Sequence, residues 1–182
     1  MDLSRFSLEG KVAVVTGGSR GIGRAAALAM ADAGANVVVS SRKIADLELV
    51  AAEISAKGVK GRAIAAHVGK MDDSRALVDQ VMKEFGRLDI LVNNAGTNPY
   101  FGTMMEQDEK TYDITMNVNV KSIFFLSQMA AKIMKAQGGG SIINTSSIGG
   151  IRAGELGVYC ATKAAVIMLT QVMAKEWGQY GI

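Results

Sequence analysis

The chain has 182 residues, 49% hydrophobic and 20% charged, enough apolar material for one buried core, so a single domain over residues 1–182 is expected. Its 20 Lys and Arg against 17 Asp and Glu leave a net charge of +3, with the basic residues scattered rather than clustered, so nucleic acid is not expected as a partner. The single cysteine, Cys160, excludes an internal disulfide and suits a reducing compartment, which makes the cytoplasm the expected location.

Residues 1–10 alternate charged and apolar side chains and hold no apolar core of signal-peptide length. No uninterrupted run of about 18 apolar residues follows, so no membrane partner is expected either. Residues 11–16 (KVAVVT) read as a buried strand, and 21–33 as a helix ended by Gly34. Residues 36–40 (NVVVS) are a second strand, rich in β-branched valine, followed by an amphipathic helix over 44–57 that Gly58 closes. A weaker third strand covers 62–68; a helix covers 72–85, with Asp72 or Asp73 placed to satisfy its free amides. The fourth strand is 90–93, and Pro99, the only proline, marks the loop after it. A long helical stretch over 109–136, a fifth strand over 141–145 and a last helix over 158–179 complete the pattern. Apolar strands alternating with helices require crossover connections, which predicts a doubly wound parallel α/β sheet, the Rossmann fold.

The first strand runs into TGGSRGIG, residues 16–23, and a helix follows. Glycines at Gly17, Gly21 and Gly23 allow a tight turn and close approach of a ligand to the backbone around Ser19, Arg20 and Ile22. The free amides and positive end of the helix then suit a pyrophosphate. In dinucleotide-binding folds an acidic residue about 20 positions on reads the ribose 2′-hydroxyl of NAD. Here the second strand ends in Ser40, Ser41, Arg42 and Lys43, with no carboxylate before Asp46. Arg42 and Arg20 can clamp a 2′-phosphate and Ser41 can donate to it, so NADP(H) is the expected cofactor.

Tyr159 and Lys163 stand four apart near the start of the last helix, on one face. A phenol is a poor base at neutral pH, and a neighbouring ammonium favours its anion. Such a pair can exchange a proton with a carbonyl or alcohol oxygen. Thr145, Ser146 and Ser147 follow the fifth strand, at the sheet end where ligands bind in open α/β folds. A serine hydroxyl there can polarise a substrate oxygen. Asn93, Asn94, Ala95 and Gly96 end the fourth strand and would line a cofactor channel. Asn117 and Asn119 lie among apolar helical residues, where an amide is costly unless it serves something.

TGGSRGIG, NNAG, the asparagine of MNVNVKS, SSIGG and YCATK occur in the order and spacing of short-chain dehydrogenases/reductases, and the chain resembles that family from about residue 7 to 182. The resemblance implies Tyr159 as acid/base, Lys163 as its partner and as a ligand of the nicotinamide ribose, and Ser147, with Ser146 as the alternative, orienting the substrate oxygen. Asn119, chosen over Asn117 by the V-N-x-K match, would hold a water of the proton relay. Asn94, Ala95 and Gly96 would contact the cofactor. Where many members have an adenine-contacting aspartate, this chain has His67 before Val68, and both are carried as cofactor-contacting positions. With one histidine and one cysteine, no metal is expected.

Members of the family continue past the equivalent of Ile182 with further strands and a substrate-covering loop, so a C-terminally truncated domain lacking the last strands is expected. Family dimers pair the two long apolar helices, which implies a homodimer or homotetramer. The reading that follows is an NADP-dependent oxidoreductase acting on a ketone, aldehyde or secondary alcohol, akin to carbonyl reductases, 3-oxoacyl-carrier-protein reductases or sugar dehydrogenases. The alternative is a non-catalytic nucleotide-binding or assembly fragment of such an enzyme.

Overall fold

Successive residues of a strand face opposite sides of a sheet, and in this chain both sides are apolar. Val12, Val14, Val38, Ile64 and Leu91 join one buried cluster, while Ala13, Val15, Val37, Val39, Ile90 and Val92 join another. A sheet buried on both faces is the signature of parallel strands covered by helices. The computed structural model describes residues 4–182 and shows that arrangement. Strands β1 (Val12–Thr16), β2 (Asn36–Ser41), β3 (Gly61–Ala65), β4 (Ile90–Asn93) and β5 (Ser141–Asn144) form one parallel sheet in the order β3-β2-β1-β4-β5. Helices α1 (Gly21–Asp32) and α2 (Ile44–Ser55) cover one face through Ala27, Ala31, Leu47, Val50 and Ile54. Helices α3 (Met71–Phe85) and α5 (Ser122–Gln137) cover the other through Leu77, Val81, Leu126, Ala130 and Met134.

Chain order reverses between β1 and β4, so the crossovers on either side leave in opposite directions. The crevice they open beyond the carboxyl ends of these strands is where such folds take ligands.

Four local expectations need correction. The third strand is shorter than residues 62–68: after Ala65 only the Ala66 N–H still bonds β2, through Ser41 O, and the His67 N–H turns to Asp73 Oδ2 at 2.9 Å. That same bond removes Asp73 from the capping role, while Asp72 pairs with Arg75 at 2.7 Å, so α3 starts without a side-chain cap. The stretch 109–136 is not one α-helix. It divides into α4 (Glu109–Met116), a π-helical turn over Asn117–Lys121, and α5. A π-turn inserts one residue into the helical register and is frequent at functional sites. The last helix, α6 (Gly157–Trp177), passes into a short 3₁₀ turn instead of running to 179.

Helix α6 is apolar beyond a single stripe. Met168 and Val172 are exposed, whereas Thr162, Lys163, Val166 and Met173 are buried. Over the span Gly157–Tyr180 it is long and apolar enough to cross a membrane by length and composition alone, with a mean hydropathy of 1.3. The charged Lys163 is among its buried residues, against the short 3₁₀ turn Ile148–Gly150, where a Cβ on Gly150 would lie 2.7 Å from the Lys163 carbonyl.

Candidate active site

The glycine turn is built as its spacing predicts. Gly17 and Gly21 have φ of +66° and +55°, left-handed values that a side chain would strain. Gly23 packs beneath the turn, where an added Cβ would overlap the Gly17 carbonyl. Above it opens a groove of about 510 Å³. Gly17, Ser19, Arg20, Gly21 and Ile22 form one wall of it, Ser41 and Arg42 the end of β2, His67 and Val68 the segment after β3, and Asn94, Ala95 and Gly96 the segment after β4.

Thr16 and Asn94 join the turn to β4. The Thr16 hydroxyl donates to Val92 O at 3.2 Å and accepts from the backbone N–H of Asn94 and Ala95 at 3.1 and 3.2 Å. The Asn94 amide donates to Thr16 O and Gly17 O at 3.1 and 3.3 Å. Sequence reasoning gave Asn94 a cofactor contact. The structure adds that its side chain braces the turn itself, and that Thr16, read only as a strand terminus, is the hub of the brace.

Arg20 and Arg42 are exposed on the groove wall, and neither has a carboxylate partner among the described residues. Arg24, one turn into α1, is committed to Glu53 of α2. Asp46 lines the groove as well, in the first turn of α2. Ser40 Oγ is buried there with no protein partner. Open glycines, unpaired guanidiniums and an unsatisfied hydroxyl fit a phosphate-bearing dinucleotide.

Beyond the sheet end, Lys163 is only 4% exposed and its Nζ donates to Thr145 O at 2.8 Å. Burial pushes its pKa down from the ordinary lysine value. The same nitrogen lies 5.6 Å from the centroid of the Tyr159 ring. A Cβ placed on Gly96 would sit 3.6 Å from both Lys163 Nζ and Asn119 Oδ1, so the two flank the groove's inner end. Asn119 is fully buried: its Oδ1 accepts from Thr97 N at 2.8 Å, and its Nδ2 donates to Thr97 O at 2.8 Å and to Thr162 Oγ1 at 3.2 Å.

The two candidate serines differ in what their hydroxyls do. Ser146 donates its proton to Lys163 O at 2.9 Å. Ser147 Oγ accepts from Gly149 N at 3.1 Å, which leaves its own proton free. Ser147 Oγ and Tyr159 Cε1 lie 3.5 and 3.9 Å from a Cβ built on Gly149, so both face that glycine. Nothing in the sequence signalled the roles of Thr97, Thr145 and Thr162, because two of them act through backbone atoms. A second cleft, of about 520 Å³, runs between Phe101–Met104 and Gly154–Gly157, directly before Tyr159 in the chain.

This parallel sheet, glycine turn and tyrosine–lysine pair define a dinucleotide-binding oxidoreductase fold. A family model for the short chain dehydrogenases matches residues 11–182, and the chain belongs to that family. It is 44% identical to 2-dehydro-3-deoxy-D-gluconate 5-dehydrogenase of Escherichia coli (strain K12), over 100% of this chain and 72% of that protein. It is 38% identical to dehydrogenase/reductase SDR family member 4 of Sus scrofa, over 94% of this chain but only 62% of that one. A short-chain type dehydrogenase/reductase from Mycobacterium marinum superposes with a TM-score of 0.94 at 39% identity, over 99% of this chain and 72% of that one. Similar structures differ in cofactor. One is an NAD+-bound xylitol dehydrogenase (30% identity, TM-score 0.91, 96% and 67% covered). Another is an NADPH-dependent 3-quinuclidinone reductase from Rhodotorula rubra (35% identity, TM-score 0.91, 96% and 67% covered).

Proposed function

We propose that this chain serves an NADP-dependent oxidoreductase that interconverts a ketone or aldehyde with the corresponding alcohol. The observation that carries the reading is the Lys163 ammonium, buried between Thr145 O and the Tyr159 ring at the inner end of an open dinucleotide groove. The preference for NADP(H) rests on Arg20 and Arg42, which stand unpaired where an NAD site has a carboxylate. A bound nicotinamide would supply or accept the hydride. In reduction the Tyr159 hydroxyl gives its proton to the substrate oxygen, and the Lys163 ammonium stabilises the negative charge left on the phenol. Ser147 donates its free proton to the same substrate oxygen and so orients it. Asn119 Oδ1 keeps one lone pair and shares the Gly96 neighbourhood with Lys163 Nζ, which suits a water held between them.

The cleft between Phe101–Met104 and Gly154–Gly157 is the proposed substrate entrance. Its Phe101, Met104 and Leu156 favour a partly apolar small molecule of the carbonyl-reductase, 3-oxoacyl-carrier-protein or sugar class. Exposed Phe124 on α5 and Met168 and Val172 on α6 support pairing of these helices in a homodimer or homotetramer. The free Cys160 suits cytoplasmic residence. Calorimetric titration with NADPH and with NADH, followed by turnover on a panel of ketones, tests the reading. NADPH binding without turnover would select the non-catalytic alternative, and tighter binding of NADH would overturn the arginine clamp.

A further inference from the structure

His67 forms part of the groove wall, one strand outward from Ser41 and Arg42. Its backbone N–H is held by Asp73, and Gly69 N–H donates to its ring Nδ1 at 3.1 Å. A ring nitrogen that accepts carries no proton, so the neutral imidazole is held with its proton on Nε2. Among the described residues no group hydrogen-bonds that Nε2. The ring thus offers the groove one free polar atom, and that atom is a donor.

The course of a dinucleotide fixes what lies nearby. Were the pyrophosphate held on the Gly17–Gly23 turn and the ribose at the end of β2, the base would fall toward the next strand end, that of β3, where His67 and Val68 line the same groove. Adenine presents a 6-amino group, which is a donor, and ring acceptors including N7 and N3. A donor cannot pair with the amine but can pair with a ring nitrogen. Hypoxanthine keeps N7 and N3 and carries a carbonyl oxygen in place of the amine.

We propose that His67 reads the base through a ring acceptor and leaves the six position unread, so that the groove takes hypoxanthine and adenine dinucleotides alike. The proposal rests on the reading of this groove as the NADP(H) site. The aspartate that the family resemblance sets at this position would accept from the amine, and the histidine inverts that polarity.

Calorimetric titration with NADPH and with its reduced hypoxanthine analogue tests it, on the wild-type chain and on two variants checked for unchanged thermal unfolding. The wild type is expected to bind the two within about threefold of each other. His67→Asn should keep that ratio, because its Oδ1 can accept from Gly69 N–H while its Nδ2 remains a donor. His67→Asp, which can also accept from Gly69 N–H in an Asx-type turn, presents only acceptors when ionised. It should shift the ratio toward NADPH by more than about threefold. A wild-type preference for adenine greater than that, or an unchanged ratio in His67→Asp, overturns the proposal while the NADP(H) reading stands. Failure of the wild type to bind either dinucleotide overturns both.

Discussion

Lys163 and Thr145 meet through one hydrogen bond of 2.8 Å, and the acceptor is a backbone carbonyl rather than a carboxylate. The ammonium on α6 is therefore positioned by the end of β5 without being neutralised, and its charge stays available to the Tyr159 phenol.

That arrangement has a thermodynamic sign. Because burial lowers the Lys163 pKa below the ordinary value of 10.5, the native state binds fewer protons than the unfolded chain between the two values. Stability contributed by this group therefore rises with pH across that window and levels off above the unfolded value. Chemical unfolding of wild type and Lys163→Met, followed upward from neutral pH, should show the rise only in the wild type. At neutral pH Lys163→Met should also lose turnover by about a hundredfold or more.

Replacing Tyr159 by Phe removes one oxygen and leaves the ring beside Lys163. Turnover should fall by about a hundredfold or more, while the NADPH dissociation constant stays within about threefold of the wild-type value. Retained turnover would remove Tyr159 from the mechanism.

Arg42→Ala isolates the phosphate clamp. NADPH affinity should drop about tenfold, at the low end of the range for charge-assisted hydrogen bonds because the side chain is exposed. NADH affinity should not change. An equal loss for both cofactors would show that Arg42 acts elsewhere than at the 2′-position.

Gly23→Ala tests the packing under the turn, since its Cβ would overlap the Gly17 carbonyl. The turn must shift, at a cost of about 1–3 kcal/mol in unfolding free energy. NADPH binding should weaken along with stability, whereas a control such as Gly178→Ala, at a helical φ of −54° with open space around it, should leave binding intact.

Asp89 ties the start of β1 to β4. It accepts from Val12 N at 2.9 Å and from Arg87 at 2.7 and 2.8 Å. Its burial opposes ionisation, yet the Arg87 and Val12 hydrogen bonds outweigh that and hold its pKa below the usual aspartate value. Stability from this group is thus present above the unfolded value near 3.8 and is lost as pH falls through the lower folded value. Asp89→Asn should cost about 2–3 kcal/mol at neutral pH. Its acid-unfolding curve should also lack part of the wild-type slope below pH 3.8.

The sheet was legible because its signal is redundant. Each valine-rich run is apolar on both faces, and only a parallel, helix-covered strand uses such a run. The glycine turn was legible because few other structures need three glycines at that spacing. Much of what stayed hidden depended on single side-chain hydrogen bonds. Asp73 resembles a helix cap until His67 N is seen to take its carboxylate, and the third strand resembles a longer one for the same reason. The π-turn at Asn117–Lys121 leaves no mark on a helical pattern, because one inserted residue alters the register without changing composition. The different hydrogen bonds of the Ser146 and Ser147 hydroxyls come into view only once the carbonyl of Lys163 and the amide of Gly149 are located.

The carboxamide of Asn119 treats Thr97 as a neighbouring strand would, giving to its carbonyl and taking from its N–H. A side chain thereby acts as a surrogate peptide rung that rivets the loop leaving β4 to the helix beneath it. Thr97, four residues past the end of β4, is thereby held through both of its backbone groups to the π-helical turn that carries Asn119. If the cleft between Phe101–Met104 and Gly154–Gly157 admits the substrate as proposed, the backbone left free to widen it lies beyond Thr97, from Asn98 onward.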